Sequence, residues 1–153
     1  MRLYYNLSND YLHQGRVPGV DERVINQTPD NETILKMGRV VKLTDDMAEV
    51  IVDEGIVINM TMVREYHEWI QNNLSNPCML LINKTYPYAY SFDAQKEIAS
   101  LDQIRAMAVV VYNRISEVTT RDLVAFPRAH EWNIQIFDSR HDALLWLEGQ
   151  RDS

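Results

Sequence analysis

Residues 78–82 read Cys78-Met79-Leu80-Leu81-Ile82, and residues 106–112 read Ala106-Met107-Ala108-Val109-Val110-Val111-Tyr112. Each is a continuous apolar run bounded by polar or turn residues. Runs of this length and β-branched content form strands buried on both faces, as in parallel sheets covered by helices. The remaining elements read outward from these two.

Upstream of Cys78, Val63, Tyr66, Ile70 and Leu74 are spaced by three, four and four, which predicts one face of a helix. Thr61 serves as its N-cap and Glu65 sits in the first turn, where the helix dipole favours an acid. Asn72-Asn73 and Asn76-Pro77 stop it. Before the helix, Arg39–Leu43 and Ala48–Val52 predict strands joined by the turn Thr44-Asp45-Asp46. Asp53-Glu54-Gly55 then reads as a hairpin turn, with Gly55 at positive φ. Ile56–Asn59 is the returning strand of an antiparallel meander.

Downstream, Asn83 leads into the aromatic loop 84–92, and a helix is expected from Asp93 or Ala94 to about Leu101. After the second apolar run, Ser116 is expected to cap a helix that Pro127 ends near Ala125 or Phe126. Asn133–Phe137 predicts the last strand. The final helix runs from Ser139 to Leu147 or Glu148, with Ala143, Leu144 and Leu147 inward and Gly149 as its stop.

This alternation specifies an α/β fold. We expect a mixed sheet of about five strands, an N-terminal antiparallel meander followed by parallel strands, with about four helices packed on it. The domain spans residues 36–153. Residues 1–35 form a partly ordered N-terminal extension, because Gly15, Pro18, Gly19 and Pro29 break any period while Tyr4, Tyr5, Leu7, Tyr11 and Leu12 offer docking contacts.

The 153 residues suit one domain, and a hydrophobic fraction of 46% with 24% charged residues is that of an ordinary globular chain. The net charge of -7, without a Lys/Arg cluster, argues against nucleic acid as a partner. No run of about 18 apolar residues predicts a membrane span. The first residues lack the apolar core of a signal peptide, so a cytoplasmic location is expected. The single Cys78 reads as a buried, inert thiol in a strand.

Catalytic patterns are missing from the sequence. His13, His67, His130 and His141 have no metal-ligand spacing, and there is no GxSxG, P-loop or GxGxxG. Asp45-Asp46 and Asp53-Glu54 are paired carboxylates, but both lie in expected turns. Neither an enzyme activity, a cofactor nor a metal site is expected.

The hairpin, the phrase Leu80-Leu81-Ile82-Asn83 before the aromatic loop, the run 106–111, and Phe137-Asp138-Ser139-Arg140-His141-Asp142-Ala143-Leu144-Leu145-Trp146-Leu147 together resemble the STAS domains. These are the sulfate-transporter and anti-sigma-factor-antagonist, or sporulation-antagonist-like, domains. The likeness spans residues 38–149 and is nearest to small, uncharacterised bacterial proteins of that fold. It implies a non-catalytic regulatory or protein-interaction module. In the family's best-understood members, a Ser at the start of the second helix is phosphorylated by a partner kinase. The corresponding region here is Ser91-Phe92-Asp93-Ala94, where the Asp-Ser-Ser-Gly phrase is absent and Asp93 stands near the acceptor position. Ser91 and Asp93 are therefore the candidate switch positions, Asp93 either imitating a phosphate's charge or serving as a plain N-cap.

In open α/β sheets, ligands sit beyond the carboxyl ends of the strands. That edge is expected to gather Asn83, Tyr86, Tyr88, Tyr90, Asn113, Arg114 and Asp138. Two functions fit it. The tyrosines suit a protein interface, with a protein partner or a second copy of the chain as a homodimer. Alternatively, the edge holds a pocket for a lipid- or nucleotide-like small molecule. A third arrangement folds the aromatics back as cover for the sheet.

Overall fold

A computed structural model describes residues 30–151. It is an α/β fold built on a six-stranded mixed sheet, and the described residues contain four helices. The strands of the main sheet are β1 (Glu32–Leu35), β2 (Gly38–Thr44), β3 (Met47–Val52), β5 (Cys78–Asn83), β7 (Ile104–Val110) and β8 (Ile134–Phe137), in the spatial order β1-β2-β3-β5-β7-β8. β1, β2 and β3 are antiparallel, and β3, β5, β7 and β8 are parallel.

The meander is therefore real but displaced. Its third strand is β1, drawn from residues expected to belong to the extension; the rest of that extension, residues 1–29, lies outside the described residues. The expected return strand forms only β4 (Val57–Ile58), which leaves the main sheet and pairs in parallel with β6 (Ala89–Tyr90). Gly38 allows the first hairpin to close: its φ is 153°, and a Cβ there would lie 2.2 Å from the Ile51 carbonyl oxygen. A residue without Cβ is required at that approach. Gly55 takes the expected positive φ, 78°.

The helices are α1 (Met60–Asn73), α2 (Phe92–Glu97), α3 (Arg114–Ala125) and α4 (Arg140–Gln150). Three of them start earlier than the sequence suggested, because other side chains make the caps. Asn59 accepts from the Met62 amide at 3.0 Å in place of Thr61, Ser91 accepts from Ala94 in place of Asp93, and Asn113 accepts from Ser116 at 2.8 Å. An Asx or Ser side chain at the end of the strand or in the short link after it satisfies free amides of the helix's first turn. α2 stops at Glu97, short of Leu101, as Ala99 turns to φ 56°. α4 passes through Gly149, since an αR glycine in an exposed last turn costs only about 1 kcal/mol.

The parallel strands advance in one direction, from β3 through β5 and β7 to β8. Right-handed crossovers then place every connecting helix on the same side of the sheet. That side holds the main core, in which Val63, Tyr66, Trp69 and Ile70 of α1 pack on Val40, Ala48, Val50 and Leu80. α4 has no strand to return to and covers the opposite face with Ala143, Leu144 and Leu147. Cys78 is buried in β5, and burial pushes its thiol up to about 12, so it is unreactive at neutral pH.

Candidate functional site

Side chains alternate along a strand, so Leu80, Ile82 and Lys84 follow one another toward the crossover-helix face. Leu80 and Ile82 belong to the core there, and Lys84, just past β5, continues their line into a cavity. The cavity floor is Val50, Val52, Ile82, Met107 and Val109, and its walls are Tyr66, Ile98, Ala99, Leu123 and Trp132. The cavity volume is about 50 Å³, and the empty space counted out into open solvent is about 550 Å³.

The roof is the β4–β6 pair. Gly55 donates to the Pro87 carbonyl at 2.9 Å, Ala89 to Ile56 at 2.9 Å and Ser91 to Ile58 at 2.8 Å. This clamp fixes the aromatic segment with Tyr88 and Tyr90 pointing in and Ala89 out. The two rings meet edge to face with centroids 5.7 Å apart. Burial raises both phenols above their ordinary range, so they stay neutral. Of the loop's tyrosines, Tyr86 alone is exposed.

Lys84 is 5% exposed. Its Nζ donates to Thr120 Oγ1 at 3.0 Å and to Thr119 Oγ1 at 3.4 Å, and lies 5.1 Å from the Tyr88 ring centroid. Among the described residues no carboxylate pairs with it. Burial alone holds its ammonium below the usual lysine range. The Tyr66 hydroxyl, on a residue only 2% exposed and lining the same cavity, has no hydrogen-bond partner among the described residues. Leaving such a group unsatisfied costs about 1–3 kcal/mol, so the native fold carries a cost here that an apolar residue would avoid. Arg128 stacks on Trp132 at 3.6 Å and donates to the carbonyls of Gln95 and Leu123, closing the far wall.

The other expected edge residues divide between this site and the opposite face. Asn83 points to the α4 side, where its Nδ2 donates to Glu49 at 2.8 Å and its Oδ1 accepts from Tyr112 at 2.7 Å. Glu49, buried in β3, also takes a two-bond contact from Arg140 at 2.7 and 3.1 Å. Asn113 is consumed as the cap of α3. Arg114 and Asp138 are exposed at the carboxyl edge, outside the cavity lining. Ser91 caps α2 with its hydroxyl, and Asp93 is exposed in the first turn. The edge thus brings Tyr88 and Tyr90 together with Lys84, Tyr66 and Thr120, which the sequence reading had not placed among the edge residues. The available signal for Lys84 was its period: it stands two residues after Ile82 on the inward register of β5.

The cavity lining combines aliphatic and aromatic walls, suited to an apolar body, with the Lys84 ammonium and the phenol hydroxyls, suited to a negative head, but its present volume admits only a few atoms. No group of three or more His, Cys, Asp or Glu among the described residues is placed to hold a metal. No helix among them is long and apolar enough to cross a membrane. No family model, curated protein or solved structure matches the chain.

Proposed function

We propose that this chain is a STAS-like binding domain that takes a small amphipathic molecule in the cavity beneath Tyr88 and Tyr90. The observation that carries this reading is Lys84, a buried lysine that pairs with no carboxylate among the described residues, in a mostly apolar recess. A buried cation without a partner is costly, and such positions collect at functional sites. Its place beyond the carboxyl end of β5, beside β7, is where parallel sheets usually hold ligands. The regulatory, protein-binding reading keeps one support of its own: Phe92 (66% exposed) and Ile115 (76% exposed) are apolar and open to a partner near the same edge.

Native mass spectrometry of the purified protein, followed by titration of 1-octanol under methyl NMR, tests the binding reading. We expect a mass that is lost on denaturation, or shifts at Ile58, Ile98 and Val109 methyls on titration. A bare chain whose cavity methyls do not respond overturns it.

A further inference from the structure

Resting on that reading, we infer that the ligand is a monoanion, an aliphatic or aryl carboxylate, whose head displaces Thr119 and Thr120 from the Lys84 ammonium and so releases helix α3. Lys84 is the one cation among the described residues that lines the cavity, and one carboxylate neutralises it. A phosphate monoester would bring close to two charges at neutral pH and leave one uncompensated in an apolar recess. A carboxylate's lone pairs also match the donors present, the Lys84 ammonium and the unpartnered Tyr66 hydroxyl. The lining also includes Val50, Ile58, Met107 and Val109, which offer the tail apolar contact.

The enclosed volume of about 50 Å³ admits only a few atoms, so a ligand of useful size needs one wall to move. α3 is that wall. Its buried residues are Ser116 and Thr120, both small and polar, whereas α1 buries Val63, Tyr66, Trp69 and Ile70. Ile115 and Val118 face outward, and among the described residues the hydrogen bonds from α3 side chains to the sheet side of the cavity run through Lys84. Elements with little buried apolar surface open at low cost. An anion that takes over the ammonium removes that tie, so head recognition and opening are one event.

Octanoate, 1-octanol, octylammonium and octyl phosphate share one tail and differ in head, and isothermal titration of each reads the preference. We expect octanoate to bind roughly tenfold or more tightly than 1-octanol, as a hydrogen bond to a charged group allows. Octylammonium should not bind. Lys84→Met should erase the octanoate preference and keep 1-octanol binding, with Lys84→Gln used if the Met variant does not fold. Octanoate should also speed amide hydrogen exchange in residues 115–125, and by more than 1-octanol does at equal saturation. Equal binding of octanoate and 1-octanol overturns the anion inference and leaves the cavity reading intact, whereas binding of neither overturns both. Tighter binding of octyl phosphate overturns the carboxylate assignment, and an octanoate preference that survives in Lys84→Met overturns the role of Lys84. Unchanged exchange in α3 with octanoate bound overturns the opening.

Discussion

Asn83 and Lys84 are consecutive at the carboxyl end of β5, yet their side chains leave on opposite faces of the sheet and meet opposite circumstances. On the α4 face, Glu49 is buried but surrounded: Arg140 supplies two hydrogen bonds and Asn83 a third. On the crossover-helix face, Lys84 is equally buried but meets only two threonine hydroxyls and an aromatic ring. A paired buried charge fixes geometry, here the docking of α4's first turn on β3. An unpaired one stores a cost in the empty state, which a ligand of opposite charge can relieve. The difference between structure and site lies in the company the charge keeps, since burial is the same.

Breaking the satisfied face should have the largest effect. Arg140→Met leaves Glu49 and Asn83 facing each other without the cation, and we expect a loss of about 3 kcal/mol in urea unfolding. Adding Glu49→Gln should recover much of that loss, because the uncompensated charge goes with it. If Arg140→Met is neutral, the pair is not holding α4 and the contrast between faces fails.

The opposite face should respond with the opposite sign. Lys84→Met removes a buried charge and keeps an apolar stem, and we expect the ligand-free protein to gain about 1 kcal/mol in the same assay. The Thr120 hydroxyl stays satisfied by the Ser116 carbonyl at 2.7 Å. A substantial loss of stability would mean that Lys84 is a structural strut, as Arg140 is.

The smallest expected effect is a pH dependence on the crossover-helix face. His67 Nε2 accepts the Ala99 amide at 3.0 Å, which holds the left-handed turn after α2, and burial lowers the imidazole's affinity for a proton. Below the ordinary histidine value of 6.5 the unfolded chain takes up a proton that the folded chain refuses. Stability from this residue is thus fully present above pH 6.5 and declines as pH falls toward the lowered folded value. His67→Gln should flatten the melting-temperature profile between pH 7 and 5. An unchanged slope would assign it to other groups.

The parallel strands, the start of α4 near Ser139, and the stop of α3 at Ala125 before Pro127 were legible in the sequence. The reason is that apolar runs and 3.6-residue periods report burial locally, and burial is what defines those elements. β4 was misassigned because two residues of strand carry no information about their partner. Its pairing with β6, some 30 residues on, is decided by the closure of the roof. The tyrosines at 86, 88 and 90 were visible as a cluster, but which of them face inward depends on that same pairing.

The sequence by itself determined the α/β class, the mixed sheet and the carboxyl edge to search, because each follows from patterns shorter than about 15 residues. Only the tertiary structure decided that Lys84 is buried with no carboxylate among the described residues, while Glu49 is buried with three donors. Those outcomes depend on contacts of Lys84 with Thr120 and of Glu49 with Arg140, separated by 36 and 91 residues. A single chain's local pattern cannot say which charge finds its partner, because that is settled by how the helices close over the two faces of one sheet.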